Sequence, residues 1–228
     1  MDIAVIPARG GSKRIPRKNI KIFNGKPMIA YAIEVAINSN LFDKVIISSD
    51  DEEIISIGKK FGAEIIFKRP SFLSSDETPT APVIAHAISE CGKLGWTINN
   101  VCCIYPSVPF LNKNDLIKAF DIFIKKNADF VYPITEYPHP IQRAMRIGHS
   151  GKMEFLNSEN ELKNTQDLET TYHDTGQFYW GSVNSWSSQK KMHSNGLGMV
   201  VPSWRFVDID TPNDWIRAEI MYGVINKK

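Results

Sequence analysis

Two stretches at opposite ends of the 228-residue chain carry residue types that can do chemistry, a basic one near the N-terminus and an acidic one near the C-terminus. The first, Ile3 to Asn19, reads IAVIPARGGSKRIPRKN. Gly10 and Gly11 stand beside Arg9, Ser12 and Lys13, so the backbone can approach a ligand closely, with N–H groups and cations turned toward phosphate oxygens. Arg14, Arg17 and Lys18 follow, and Pro16 keeps a helix from running on. This composition suits an anion-binding loop for a multiply charged ligand. Its spacing is neither that of a Walker A loop nor the G-x-G-x-x-G of dinucleotide sites. Five cations between Arg9 and Lys18 also fit a solvated surface loop or a nucleic-acid footprint. The apolar run that precedes the glycines favours the phosphate cradle.

The acidic stretch is FVDIDTPND, with Asp208 and Asp210. In an extended segment alternate residues share a face, so the two carboxylates repel each other unless something lies between them. A divalent cation meets that need, and hard oxygen ligands suit Mg²⁺, which takes one or two protein carboxylates and completes its shell with water and substrate phosphates. The competing role is that one aspartate caps the helix starting near Pro212 while the other is merely solvated. A phosphate loop in the same chain favours the metal. His173 and Asp174 could pair as a base and its orienting carboxylate, or could be turn residues before a strand. His86 and His139 lack companions at metal-ligand spacing and read as structural or surface residues. Trp180, Trp186, Trp204 and Trp215 read as core or arm packing.

Elements must hold these groups in place. Ile3 to Ile6 forms a buried strand ended by Pro7. A turn at Asn24 to Pro27 leads to a helix over 28–38, with Pro27 at its start. Lys44 to Ser49 is a second strand, followed by Asp50, Asp51 and Glu52 as N-cap and acidic first turn of another helix. Further strands are expected over 63–67, 100–105, 128–134, 177–181, 198–201 and 204–209. Helices are expected over 81–94, 114–126 and 212–224. The alternation argues for βαβ units and a parallel sheet that binds ligands at the carboxyl ends of its strands. Between Thr135 and Thr171 the pattern breaks, and an excursion of that length is usually a functional arm or an interface.

Composition narrows the function. A net charge of +2 is too small for general nucleic-acid binding, so the basic loop is a local feature whose partner is small and anionic. Cys91, Cys102 and Cys103 have no C-x-x-C spacing and read as buried apolar residues in a reducing compartment. With neither a targeting segment nor the roughly 20 apolar residues that cross a bilayer, the expectation is a cytoplasmic protein that contacts no membrane.

The run IPARGGSKRIPRKN, the RP-x-x-L-x-x-D pattern from Arg69 to Asp76 and the segment DIDTPND resemble the CMP-sialic acid synthetase family of cytidylyltransferases over nearly the whole chain. Within it, EYPHPIQRA at Glu136 to Ala144, YPSVPF at Tyr105 to Phe110 and YHDTGQFYW at Tyr172 to Trp180 resemble most the branch that acts on pseudaminic acid, a sugar of bacterial surface glycans including flagellin. The resemblance implies a Rossmann-like nucleotidyltransferase fold, α/β with a mostly parallel sheet flanked by helices, as one domain over 1–228 with 135–171 as a dimerisation arm. It implies transfer of CMP from CTP to the sugar's 2-hydroxyl by a homodimer, with Mg²⁺ on Asp208 and Asp210. Arg9, Ser12, Lys18 and Asn19, on the loop with Gly10 and Gly11, would hold the phosphates; Arg69, Thr78 and Thr80 would address the cytidine. Arg9 and Lys18, with the two aspartates, would be catalytic. Tyr105 stands where sialic acid enzymes commonly have Gln, and His173-Asp174-Thr175-Gly176 replaces a common Arg-Pro-Asn-Gly. With Gln177 and Tyr179 these are the expected sugar contacts, and the departures argue against N-acetylneuraminate. The same reaction on N-acetylneuraminic, legionaminic or an octulosonic acid stays open, as does a nucleotide sensor without turnover.

Overall fold

The computed structural model describes residues 1–225. Strand β1 (Asp2–Pro7) has Ile3, Ala4, Val5 and Ile6 fully buried, as a strand covered on both faces requires. After the basic loop come β2 (Ile22–Phe23) and β3 (Lys26–Pro27), a hairpin turned at Asn24 and Gly25 with φ of 43° and 92°. An Asn-Gly pair adopts that left-handed turn at little cost. Helix α1 (Met28–Ser39) starts with Pro27 as its N-cap. Next are β4 (Lys44–Ser48), α2 (Glu52–Lys60), α3 (Thr80–Lys93), β5 (Asn100–Ile104), α4 (Lys113–Lys126) and β6 (Phe130–Glu136). A hairpin of β7 (Met145–Ile147) and β8 (Met153–Phe155) precedes β9 (Tyr172–Asp174) and β10 (Phe178–Ser182). The described chain closes with α5 (Val183–Ser187), β11 (Gly196–Val200) and α6 (Pro212–Ile225).

The main sheet runs β11-β6-β10-β5-β1-β4, with β9 against β6. β1 is parallel to β4 and β5, and β6 to β11, while β10 lies antiparallel between β5 and β6. The mostly parallel sheet expected from the alternation is present, with two reversed strands, β10 inside it and β9 against β6. Strand periodicity assigns the two faces. Ala4 and Ile6 pack with Ile29 and Ile33 of α1, Ile54 of α2 and Phe123 of α4. Ile3 and Val5 pack with Ile84 and Ala87 of α3 and Trp186 of α5. Trp180 sits at 0% exposure, stacked 5.1 Å from Phe42, with its Nε1 donating to the Leu116 carbonyl at 3.2 Å. Of the four tryptophans expected in core or arm, Trp204 departs, lying 55% exposed outside both.

Gly181 on β10 tests this packing. A Cβ there would come 2.6 Å from Trp186 Nε1 and 2.7 Å from the Phe130 ring, both fully buried. Gly181→Ala is expected to destabilise by about 1–3 kcal/mol, lowering the melting temperature by several degrees in a thermal melt.

Three expectations change. Residues 63–67 make only one parallel bridge, Glu64 to Ile46, and the next backbone bond to that edge is Arg69 N to the Ser49 carbonyl at 2.8 Å. The strand is cut short because its residues turn inward to pack Ile66 and Phe67 under α3. Residues 204–209 form no strand either. They are a 3-10 turn at Ser203–Arg205 followed by unpaired extended chain, held by side-chain burial instead of a ladder. The arm begins two residues later than expected, because Thr135 and Glu136 remain in β6, paired to His173 and Tyr172. What projects between them carries exposed apolar side chains, including Ile147 at 75% and Leu162 at 94%. No helix among the described residues is long and apolar enough to cross a membrane.

Candidate active site

The basic loop leaves β1 with Ala8 N donating to the Ser48 carbonyl at 2.9 Å. It is then held from behind by the start of α2. Gly10 N donates to Asp50 Oδ1 at 3.0 Å, and a Cβ on Gly10 would come 2.6 Å from Asp51 Oδ2. Only glycine allows that approach. Arg17, in the left-handed region at φ 55°, spreads its guanidinium over Asp51 and Glu53. Asp51 also caps α2, accepting from Glu53 N and Ile54 N at 3.0 Å each. The Arg17 bond, with the cap bonds behind it, holds the Asp51 carboxyl below the usual carboxylate range. The capping expected of 50–52 is thus the work of Asp51, whereas Asp50 tethers the loop. Gly10 cannot offer its N–H to a ligand, and Arg17 is a tie within the protein.

The rest of the loop faces a cavity of about 570 Å³ at the carboxyl ends of β1 and β5. Arg9, Ser12, Lys18 and Asn19 form one wall. Asn19, 4% exposed, donates from Nδ2 to the Arg9 carbonyl at 2.9 Å and so fixes the loop's two ends to each other. Arg69, Asp76, Thr78 and Thr80 line the cavity as well. Arg69 is 5% exposed, binds Ser48 through Nε at 3.0 Å and through Nη2, and burial lowers its pKa to about 10. Asp76 pairs with Lys13 at 2.6 Å and with Arg9, and these two, Lys13 foremost, hold its carboxyl below the ordinary range. Thr80 Oγ1 lies 2.5 Å from the Tyr105 hydroxyl.

The acidic segment closes the cavity. Val207 and Ile209 are buried against Ile15, Phe23 and Trp215, so the intervening Asp208 and the next residue, Asp210, turn toward the cavity without any strand ladder. Ile15 belongs to the basic loop, so one apolar cluster fastens both chain ends. Lys18 Nζ donates to the Ile209 carbonyl at 2.7 Å and lies 3.4 Å from Asp210 Oδ1, while Arg14 reaches Asp210 Oδ2 at 2.9 Å. Neither aspartate caps α6. Thr211 and Asp214 do that reciprocally, Asp214 accepting from Thr211 N at 2.8 Å and its own N–H reaching Thr211 Oγ1 at 3.3 Å. Loss of solvent, and then Asp210, push the Asp208 carboxyl above its ordinary value. Among the described residues no three His, Cys, Asp or Glu side chains cluster to hold a metal without other ligands.

At the far end the cavity meets Tyr105, Asp174 and Gln177. Gln177 is buried, its Nε2 donating to the Arg205 carbonyl at 3.3 Å. Asp174 Oδ1 accepts from Gly176 N at 2.8 Å, and its Oδ2 accepts from the Tyr179 hydroxyl and faces His193 Nε2 at 2.8 Å. His173 does not pair with the Asp174 carboxylate. Its Nδ1 lies 2.9 Å from the Asp174 carbonyl oxygen, and its ring sits between Tyr137 and Phe206 at 4.8 and 5.6 Å. The strand β9 backbone points the two neighbours to opposite faces, so they cannot act as base and orienter.

The structure therefore brings Arg9, Ser12, Lys18, Asn19, Arg69, Thr78, Thr80, Tyr105, Asp174, Gln177, Asp208 and Asp210 to one cavity. Gly10, Gly11, His173 and Tyr179 do not line it. His193, which sequence reasoning passed over, lies in a polar run with no period or motif to mark it. His86 is a packing residue against Phe67 at 5.0 Å, and His139 is exposed. The three cysteines are buried free thiols, burial raising Cys91 to about 11 and the other two further.

Comparison with known proteins agrees with this arrangement. The cytidylyltransferase family profile matches residues 3–196. The chain is 41% identical to the pseudaminic acid cytidylyltransferase of Campylobacter jejuni strain 81-176, over 98% of this chain and 97% of that protein. It is 37% identical to a Helicobacter pylori protein named pseudaminic acid cytidylyltransferase and UDP-2,4-diacetamido-2,4,6-trideoxy-beta-L-altropyranose hydrolase, over 91% of this chain and 40% of that one. In fold it is similar to CMP:2-keto-3-deoxy-manno-octonic acid synthetase complexed with CTP, with a TM-score of 0.72 at 14% identity, covering 98% and 99% of the two chains. A family match across most of the length, on a fold that gathers a basic loop and an acidic pair around one cavity, places the chain in the cytidylyltransferase family.

Proposed function

We propose that the protein transfers CMP from CTP to the 2-hydroxyl of pseudaminic acid, releasing pyrophosphate and forming CMP-pseudaminic acid. The observation that carries the reaction is the meeting of Lys18 with Asp210 at 3.4 Å, which puts a phosphate-binding loop against paired carboxylates. The choice of sugar is supported by the 41% identity along the Campylobacter enzyme. In this reading Arg9, Ser12, Lys18 and Asn19 hold the triphosphate. Arg69, Thr78 and Thr80 address the cytidine, and Tyr105, Asp174 and Gln177 receive the sugar, with Tyr179 and His173 packed behind them.

Asp208 and Asp210 fit a divalent cation, because both carboxylates border the cavity and neither is spent on a helix cap, the charge of Asp210 being balanced by Arg14 at 2.9 Å and Lys18 at 3.4 Å. Mg²⁺ bound there would neutralise phosphate charge and lower the pKa of the attacking hydroxyl. The residues of the chain supply the rest. The sugar oxygen forms a bond to the α-phosphorus as the bond to the β-phosphate oxygen breaks, and the hydroxyl proton leaves to solvent. Arg9 and Lys18 stabilise charge gathering on the departing pyrophosphate, so positioning and electrostatics suffice without a nucleophilic side chain. The exposed apolar arm is proposed to pair two copies into a homodimer, and the enzyme to work in the cytoplasm.

The test is incubation with CTP and Mg²⁺, with pseudaminate and N-acetylneuraminate in parallel, reading pyrophosphate and the mass of the CMP-sugar. Product from pseudaminate is expected; product from N-acetylneuraminate alone overturns the sugar, and none from either overturns the pseudaminate assignment in favour of another keto acid or a sensor without turnover. Arg17→Met, which unties the loop from α2 without altering the cavity wall, should raise the CTP KM roughly tenfold, about 1.4 kcal/mol, as measured by initial rates. Because Asp51 is held below its unfolded pKa, the pair's stabilisation is present above the unfolded carboxylate range and lost as pH falls through the folded value. Wild type and Arg17→Met should therefore differ in melting temperature at neutral pH and converge in acid.

A further inference from the structure

We propose that His193 is a positioning residue for the sugar end of the cavity, acting by holding Asp174 as a fixed acceptor for a donor group of the substrate. This rests on the reading that the site takes an acidic sugar. Asp174 is the only carboxylate among the described residues lining the end of the cavity next to Tyr105 and Gln177. Its Oδ2 is occupied from behind by the Tyr179 hydroxyl and by His193 Nε2 at 2.8 Å. Its Oδ1 takes one bond from Gly176 N at 2.8 Å, leaving that oxygen a second lone pair. A carboxylate rotor fastened at three points presents that lone pair in one direction.

The histidine is itself held. Its ring meets the rings of Tyr132 and Tyr179 edge to face at 5.3 and 6.2 Å, and its carbonyl accepts from the Tyr132 hydroxyl at 3.4 Å. It comes from the segment between α5 and β11, lies outside the cavity lining, and its side chain is 60% exposed on the other side. Among the described residues Asp174 is the cavity-lining one it contacts, since Tyr132 and Tyr179, which its ring also meets, do not line the cavity.

The chemical consequence is selectivity. An anchored carboxylate accepts from a hydroxyl or an acylamino N–H and repels a carboxylate, so the acidic sugar must enter with its C1 carboxylate away from Asp174 and a donor-bearing carbon toward it. Sugars that lack a donor there leave Asp174 unpaired and lose affinity.

His193→Phe keeps the ring and removes the donor; His193→Gln restores an N–H. With the sugar that the wild type turns over, His193→Phe is expected to raise the sugar KM about tenfold while the CTP KM and kcat stay within about twofold, and His193→Gln to recover most of the loss. An unchanged sugar KM, an equal rise in both KM values, or no recovery with Gln overturns the proposal. A readout independent of turnover is the ¹⁵N signal of the His193 imidazole, which Asp174→Asn should move in the ligand-free protein. If it moves while the wild type uses no sugar, the reaction assigned above has failed and the His193 contact stands; if it does not move, the contact and the proposal fall together.

Discussion

Asp208→Asn is expected to lower pyrophosphate release by at least about 10³-fold at saturating Mg²⁺, the loss of roughly 4 kcal/mol of transition-state stabilisation. The substitution keeps size but turns one acceptor oxygen into an N–H donor and removes half the charge that the paired carboxylates offer a cation. The fold has little to lose. Val207 and Ile209 anchor the segment in the cluster with Ile15 and Trp215, and Thr211 with Asp214 caps α6 independently of Asp208. Asp208 is moreover a strained ionisation, set beside Asp210 and partly shielded from water, so its folded pKa is raised. A raised carboxylate pKa means that ionisation at neutral pH costs stability, and the neutral amide removes that cost. The metal-free melting temperature of Asp208→Asn should equal or slightly exceed that of the wild type. Retained turnover, or a clear drop in melting temperature, would refute the assignment of Asp208 to the metal.

Lys18→Met should have the next largest effect, a fall in kcat/KM of about 10²–10³-fold with most of it in kcat. Lys18 does two things at once. Its ammonium bonds the Ile209 carbonyl at 2.7 Å and stands near Asp210, tying together loops 191 residues apart, and it borders the space where the triphosphate is proposed to lie. Removing it deletes a cation from the developing charge and loosens the backbone that carries both aspartates. Lys18→Arg should recover little, since a planar guanidinium is too broad to replace a point charge seated on one carbonyl. Single-turnover and steady-state rates on the two variants check this, and Arg restoring wild-type kcat would show that charge alone is needed.

Legibility along the chain followed range. The β1 strand, the Asn24-Gly25 turn and the α4 helix depend on neighbours a few residues away, and periodicity or turn chemistry marked them. Asp208 and Asp210 were legible as a pair because alternation along an extended chain is a local property, whether or not a ladder forms. The segment 63–67 departs from its local pattern because such a pattern carries no long-range packing. Its residues suit a strand, and only the packing of Ile66 and Phe67 under α3 draws them away from β4.

By itself the sequence determined the basic loop, the acidic pair, the alternating elements and the resemblance that joined them, since each resides in residue type and short spacing. The tertiary structure alone decided which groups face the cavity: that Asp50 occupies the Gly10 N–H, that Arg17 binds α2, that His173 turns from the Asp174 carboxylate, and that His193 takes its place. A hydrogen-bond donor pairs with whichever acceptor packing delivers to it, and the apolar clusters that deliver these acceptors are assembled from segments far apart in the chain.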